Sequence, residues 1–176
     1  MPSKGIILQI QIRPMTAADK PRIMAFLPAI AEFKPEEVAL AEELIDLYLL
    51  HSKRSGYHIL VGDAGGKVLG YVCYGPTPIT EGTWDLYWIA TDPREQSRGV
   101  GGALVASAET EMRKAAARMC LVETSSRPEY ERIRRFYYHQ GYEKICEVPD
   151  FYAPGDNRVI LCKRFTGTDG GRDMVQ

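Results

Sequence analysis

Residues 96–103 combine the residue types that hold an anion at the beginning of a helix. The three glycines of this segment let the backbone turn tightly and present its N–H groups without a Cβ in the way. The first N–H groups of a helix lack partners and lie at the positive end of the helix dipole, so they favour a phosphate. The side chains of Gln96 and Arg98 can add donors, and we predict a pyrophosphate site here. The segment consists of Gln96, Ser97, Arg98, Gly99, Val100, Gly101, Gly102 and Ala103.

Two common phosphate-binding loops do not fit this segment. A P-loop ends in Gly-Lys followed by Ser or Thr, and no such ending occurs here. The dinucleotide-binding fingerprint needs Gly-x-Gly-x-x-Gly, but the run that begins at Gly99 has Leu104 in place of the last glycine. Glycine content alone therefore leaves a second interpretation, an ordinary glycine-rich turn before a helix.

The predicted elements around this segment alternate between strands and helices. Period-2 and helical patterns predict strands over residues 6–13, 57–62, 67–74, 83–90, 119–124, 142–148 and 158–165, and helices over residues 16–30, 36–50, 101–118 and 129–140. Residues 63–66, Asp-Ala-Gly-Gly, predict a hairpin turn. We therefore expect one α/β domain with helices on both faces of a single sheet.

Composition and charge exclude several classes of protein. The 22 basic and 23 acidic residues nearly balance, which argues against a general nucleic-acid binder. No run of roughly 18 apolar residues occurs, so no membrane span is expected. The four cysteines show no metal-ligand or redox spacing, and we expect no metal site and four buried free thiols. Reduced cysteines without a signal peptide favour the cytoplasm.

Two motifs resemble those of the GNAT family of N-acetyltransferases. Residues 96–101 match the family's Gln/Arg-x-x-Gly-x-Gly/Ala motif in full, and residues 136–142 resemble its later Leu/Phe-Tyr-x-x-x-Gly-Phe/Tyr motif. The resemblance covers about residues 6–165. It implies a single GNAT-type domain with a mixed, mostly antiparallel sheet of about seven strands and about four helices, splayed between strands four and five. Residues 1–165 would form this domain and residues 166–176 a flexible tail.

The resemblance implies acetyl-coenzyme A as the acyl donor. In this family the pantetheine arm lies between the splayed strands and pairs with the fourth strand, here through Ile89, Ala90 and Thr91, while residues 96–103 would hold the pyrophosphate. Phe136 would join this cofactor site.

The sequence departs from the family's pattern at two positions that precede the later motif. Ile133 and Tyr130 stand where many members of the family have Ala and Asn. The contact of that asparagine to the pantetheine arm would pass to Ser126, with Ser125 and Arg134 as alternatives.

Attack of an amine on a thioester often uses an acid that protonates the leaving thiolate. The resemblance gives this role to Tyr137, the tyrosine of the later motif. The spacing of Tyr130, Ile133 and Tyr137 also fits a core aromatic residue on a helix, which is the alternative interpretation.

The same reaction needs a base for the proton of the amine. Asp85 is the first candidate, because it lies where histone-modifying members of the family carry a glutamate. An isolated carboxylate in an aromatic strand is also costly unless it has a role or a partner. Alternation predicts that Asp85 shares a strand face with Tyr87 and Ile89. The alternatives are Glu81, Glu123 and water.

In this family the acceptor enters between the first two helices, here residues 26–48, and the loop between the last two strands, here residues 149–157. Asp150 and Asp156 in this loop could attract a cationic amine beside its two aromatic residues, or they could be solvated turn residues. The resemblance implies an amine of a small molecule or a peptide as the acceptor, and it allows a homodimer. A non-catalytic acyl-CoA-binding or regulatory module is the alternative function.

Overall fold

The structure, a computed structural model, describes residues 9–95 and 99–165, apart from the side chain of Lys53. Within these residues, seven strands form one sheet and four α-helices cover its faces. The strands are β1 (Gln11–Pro14), β2 (His58–Ala64), β3 (Lys67–Pro76), β4 (Thr83–Thr91), β5 (Met119–Ser125), β6 (Glu143–Ala153) and β7 (Asp156–Arg164). The helices are α1 (Lys20–Phe26), α2 (Pro35–His51), α3 (Val100–Lys114) and α4 (Glu131–His139). The predicted α/β class and mixed sheet are confirmed.

The sheet has the strand order β1-β2-β3-β4-β5-β7-β6. All neighbouring strands are antiparallel except β4 and β5, which are parallel. These two strands pair only where Thr83–Asp85 lie opposite Met119–Leu121, and the rest of β4 has no partner on that side. The predicted splay between the fourth and fifth strands is therefore confirmed.

Two hydrophobic cores lie on opposite faces of the sheet. One core packs α3 and α4 against the sheet and includes Leu104 and Leu161, and the other packs α1 and α2 and includes Phe26 and Val61. All four side chains are completely buried. Burial of one such side chain stabilises the fold by about 1.5–3 kcal/mol. The two cores cover β3 and β4 on both faces, so these strands lie in the middle of the domain.

The first predicted helix is divided into three pieces. A 3₁₀ turn covers Ala17–Asp19, α1 follows, and a second 3₁₀ turn covers Leu27–Ala29. Pro28 explains the end of α1, because proline has no N–H for the helix and its ring clashes with the carbonyl group one turn earlier. The prediction of one continuous helix over residues 16–30 is wrong.

Two other boundaries also differ from the prediction. Helix α3 ends at Lys114, four residues earlier than expected, and Ala116 follows in a left-handed conformation with φ of 58°. Strand β6 continues to Ala153, so most of the predicted loop 149–157 is strand. The hairpin turn after Ala64 is confirmed, with Ala64 paired to Lys67.

The cysteines are free, and their environments differ. Cys73, Cys120 and Cys162 are buried as predicted, but Cys146 is exposed. Strand β6 carries Cys146 at the edge of the sheet, where no helix covers the strand. Among residues 9–95 and 99–165, no group of three or more His, Cys, Asp and Glu side chains could hold a metal ion, and no helix has the length and hydropathy of a membrane span.

A cluster of ion pairs joins β1, the turn before α1 and β2. The guanidinium of Arg13 lies 2.8 Å from the carboxylate of Asp19 and 2.8 Å from that of Asp63. The backbone N–H of Thr16 donates a further hydrogen bond to Asp19 at 2.8 Å. Hydrogen bonding to Arg13 lowers the pKa of the buried Asp19 carboxyl to about 2.

This shift predicts a dependence of stability on pH. Because the pKa of Asp19 is lower in the folded chain, its contribution is complete well above the unfolded pKa near 4 and is lost as the pH falls toward 2. We expect Asp19→Asn to reduce the free energy of unfolding by about 2 kcal/mol at pH 7 and by about 1 kcal/mol at pH 3. Urea unfolding at several pH values measures this difference. Asp46→Asn is the control, since its pair with Lys20 is exposed, and a difference that does not change with pH would contradict the assignment.

Candidate functional site

A cleft of about 360 Å³ opens where β4 separates from β5. Its walls are the end of β4, the N-terminus of α3, α4 and the segment between α1 and α2. Ligand cavities in proteins commonly begin at about this size. Eight residues predicted to bind the cofactor line this cleft: Ile89, Ala90, Thr91, Gly99, Val100, Gly101, Gly102 and Phe136.

The other predicted cofactor residues do not line the cleft. Gln96, Ser97 and Arg98 lie outside the described residues. Ala103 lies in the first turn of α3, where its N–H donates to the carbonyl of Gly99 at 3.0 Å. Ser126 lies after β5 and exchanges two hydrogen bonds with Asn157, both at 2.9 Å. The roles of these residues in cofactor binding stay predictions.

The glycines place the beginning of α3 against the cleft. Gly99 precedes the helix in a left-handed conformation with φ of 75°, which other residues rarely adopt. A Cβ on Gly101 would lie 3.4 Å from the ring of Phe136, so α4 packs directly against the beginning of α3. The first N–H groups of α3 have no partner within the helix and can bind an anion.

A buried carboxylate anchors the turn between β4 and the glycine segment. Asp92 is completely buried, pairs with Arg22 of α1 and accepts a hydrogen bond from the N–H of Arg94 at 3.0 Å. An ion pair between Lys67 and Glu95 holds the next turn. The sequence gives no local signal for this anchor, because the partner of Asp92 is 70 residues away in the chain.

A bridge crosses the mouth of the cleft. The Tyr130 hydroxyl donates to the carbonyl of Glu32 at 2.9 Å, and Arg132 forms an ion pair with the Glu32 carboxylate at 2.8 Å. Tyr130 thus joins the segment between α1 and α2 to the beginning of α4. The Arg134 guanidinium donates to the carbonyls of Ser125 and Arg127 and holds the end of β5.

Tyr137 lies in the core behind the cleft. Its side chain is 3% exposed, and its ring contacts those of Phe136 and Tyr142 at centroid distances of 5.2 and 5.4 Å. Tyr137 does not line the cleft itself. Burial raises the pKa of Tyr137 well above its ordinary value, so the phenol stays protonated and can act only as a neutral donor. Its neighbour Tyr138 is 43% exposed, as predicted.

Asp85 lies at the last paired position of β4, opposite Leu121 of β5. The Thr77 hydroxyl donates to its half-buried carboxylate at 2.6 Å. The expected face-sharing with Ile89 is wrong. The pairing of β4 with β3 shifts by one residue at Tyr87, so Ile89 packs into the core under α3, whereas Tyr87 packs into the core under α2.

The sequence profile of the Acetyltransferase (GNAT) family matches residues 23–142. The chain belongs to this family. The crystal structure of a protein assigned to the GNAT family from Desulfovibrio desulfuricans has 36% sequence identity with the chain. Its TM-score is 0.85, with 89% of this chain and 99% of that chain covered.

More distant GNAT structures share the fold. One is PaiA N-acetyltransferase from Thermoplasma acidophilum in complex with coenzyme A, with 16% identity, a TM-score of 0.69 and coverage of 89% of this chain and 99% of that chain. Another is the ribosomal-protein-S18-alanine N-acetyltransferase from Escherichia coli, with 15% identity, a TM-score of 0.73 and coverage of 94% and 100%. No curated protein sequence matches the chain.

The alternative bases of this GNAT protein lie in different surroundings. Glu123 on β5 forms an ion pair with Arg158 of β7. Glu81 is exposed in the segment before β4, where its carbonyl accepts a hydrogen bond from Arg118 at 2.6 Å. Asp85 is half-buried, has no cationic partner among the described side chains, and lies at the point where the strands separate.

The hairpin between β6 and β7 uses its carboxylates internally. Asp156 is buried and binds Ser125 and Arg127, so it is not available to attract an amine, and that expectation is wrong. Asp150 accepts a hydrogen bond from the N–H of Gly155 at 2.7 Å and stabilises the turn. The aromatic side chains of Phe151 and Tyr152 remain about half exposed.

The Asp92 anchor generates a testable prediction. In Asp92→Asn the side chain keeps its shape but loses the charge that pairs with Arg22. We expect the free energy of unfolding to fall by about 2 kcal/mol, which lowers the Tm by about 4–8 °C. Thermal unfolding measures this change. Glu111→Gln is the control because its pair with Lys114 is exposed, and equal Tm values for the two variants would show that Asp92 is no anchor.

Proposed function

We propose that this GNAT protein transfers the acetyl group of acetyl-CoA to a primary amine of a small molecule or a peptide. The observation that carries the proposal is the cleft at the end of β4, where the part of this strand that does not pair with β5 meets the N-terminus of α3. A ligand with amides at one end and a pyrophosphate at the other suits both features. The complex of PaiA with coenzyme A, a protein of the same fold, supports this choice of ligand.

The cleft offers matching groups to each part of coenzyme A. The backbone of Ile89, Ala90 and Thr91 can pair with the amides of pantetheine, because this part of β4 lacks a neighbour on the β5 side. Phe136 gives the arm an apolar wall. We propose that residues 96–103 bind the pyrophosphate through the first N–H groups of α3 and the side chains of Gln96 and Arg98.

Acetyl-CoA supplies an activated thioester. The protein has to accept a proton from the amine and provide a donor for the leaving sulfur. We propose that Asp85, directly or through water, takes the proton of the amine, so that a neutral nitrogen attacks the carbonyl carbon. The new C–N bond forms as the C–S bond breaks, and the leaving sulfur needs a donor. Tyr137 is the proposed donor. Because the pKa of its phenol is raised, Tyr137 keeps its proton and donates a hydrogen bond to the sulfur.

The proposed acceptor class follows from proteins of the same fold and from an exposed aromatic surface. Proteins of the same fold include an enzyme named for a protein N-terminal alanine and one named for an aminoglycoside. In this chain, strand β6 carries the exposed aromatic residues Phe151 and Tyr152. Such a surface suits an extended amine, so both a peptide and a small molecule belong in the first assay.

The test combines binding with turnover. Coenzyme A is titrated calorimetrically into the protein, and the release of free thiol from acetyl-CoA is followed with an aminoglycoside, spermidine and a peptide with N-terminal alanine. We expect binding of coenzyme A and amine-dependent thiol release with at least one acceptor. Binding without turnover would favour a cofactor-binding module, and absence of binding would overturn the proposal.

The acid assignment is tested by Tyr137→Phe. The variant keeps the ring in its core position and removes only the hydroxyl, so folding and coenzyme A affinity should not change. We expect kcat to fall by about 100-fold because the thiolate then leaves without a donor. Steady-state kinetics with the best acceptor measures this, and Tyr138→Phe on the exposed side of α4 is the matched control. Unchanged kcat in Tyr137→Phe would remove the acid role.

A further inference from the structure

Strand β4 contains a β-bulge at Tyr87. Across the β3–β4 pair, Cys73 lies opposite Trp88 and Tyr74 lies opposite Leu86, so Tyr87 has no partner on β3. The extra residue reverses the alternation of side chains along the strand. Tyr87 and Trp88 therefore both pack on the α2 face, although they are consecutive in sequence.

The bulge lies just beyond the part of β4 that pairs with β5. Asp85 is the last residue of β4 that pairs with β5, and Tyr87 lies two residues further, where the two strands have already separated. The cofactor cleft lies beyond this point, at residues 89–91 of the same strand. Tyr87 thus projects from the α2 face at the narrow end of the opening between the strands.

Tyr87 forms an aromatic corner with Tyr57. The two rings meet edge to face, with centroids 5.5 Å apart, and both side chains are half-buried. Burial, together with the negative charge of nearby Asp85, raises the pKa of Tyr87 to about 12, so its hydroxyl is neutral at physiological pH. In the described part of the chain this hydroxyl has no hydrogen-bond partner.

The Asp85 carboxylate lies near this corner. It accepts a hydrogen bond from Thr77, and no described Lys, Arg or His side chain within residues 9–52, 54–95 and 99–165 forms an ion pair with it. A half-buried carboxylate near the ring of Tyr87 favours a cation. The same negative charge disfavours a ligand that carries its own carboxylate next to the cation.

Resting on the proposed function, we propose that Tyr87, with Tyr57 and Asp85, binds the acceptor and selects its class. The attacking nitrogen lies against the Tyr87 ring as an ammonium, near the carboxylate of Asp85. The acceptors of this site are primary amines whose neighbouring carbon carries no carboxylate, such as a peptide N-terminus or a polyamine, and free α-amino acids are excluded.

The test measures binding of a cation that cannot be acetylated. Tetramethylammonium chloride is titrated into the protein at constant ionic strength, and its methyl resonance is followed by NMR. We expect Tyr87→Ala to raise the Kd at least about fivefold, and Tyr87→Phe to change it less than about twofold because the ring remains. Tyr138→Ala, which removes an exposed tyrosine elsewhere, is the matched control and should bind like the wild type.

One further variant and one displacement experiment test the proposal even if Tyr87→Ala fails to fold. Asp85→Asn keeps both rings, and we expect it to weaken tetramethylammonium binding by at least about threefold through loss of the charge. L-Alaninamide should displace the probe from the wild type, whereas L-alanine should not. These two ligands differ only in the carboxylate that the corner is proposed to reject.

The outcomes separate this inference from the proposed function. Equal affinity in Tyr87→Ala and the wild type, no binding of tetramethylammonium by the wild type, or equal displacement by alanine and alaninamide would each overturn the acceptor site. Any of these results alongside coenzyme A binding and amine-dependent thiol release would leave the acetyltransferase proposal intact. Absence of coenzyme A binding would refute that proposal instead.

Discussion

The fold of this protein depends on the limited pairing of β4 with β5. Each of these strands pairs along nearly its whole length with an antiparallel neighbour, β4 with β3 and β5 with β7. Between them only three residues on each side are paired. Strands in a sheet twist relative to one another, and the bulge at Tyr87 bends β4 just beyond its paired part. Each buried backbone group left unpaired in this way costs about 1–3 kcal/mol unless water or a ligand binds it. The domain therefore contains an opening whose walls favour a ligand with amides.

Contacts on two sides of this opening join the elements that form its walls. The ion pair between Arg22 and Asp92 joins α1 to the end of β4, and the contacts of Tyr130 and Arg132 with Glu32 join α4 to the segment before α2. One set lies beside the glycine turn and the other across the mouth. Together they hold the N-terminus of α3 in line with the free edge of β4. The proposed anion site and a strand edge thus lie within one cleft, although neither alone would identify the ligand.

The sequence predicted the features that depend on local patterns. The glycine segment, the hairpin at Gly65–Gly66, the strand and helix order and the splayed sheet all follow from residue spacing or from the two motifs. The bulge at Tyr87 could not be predicted. Residues 86–90 are all apolar or aromatic, so no alternation of polar and apolar residues shows which side chains face which side of the sheet. The burial of Asp156 depends on Ser125 and Arg127, about 30 residues away, and no local signal indicates such a partner. Pro28 did carry a local signal for the end of α1, which the helical spacing around it obscured.

The environments of the thiols favour direct attack by the amine over an acetylated cysteine intermediate. A cysteine nucleophile has to form a thiolate, and the buried thiol nearest to the paired part of β4 is Cys120, opposite Trp84. Burial raises the pKa of Cys120 to about 12, so essentially no thiolate is present at neutral pH. Burial likewise raises the pKa of Cys73 to about 12, and the exposed Cys146 lies on β6, two strands beyond β5. The acetyl group then has to pass from sulfur to nitrogen in one step. That step requires both substrates in the opening together, the donor along β4 and the acceptor beside the bulge on the α2 face.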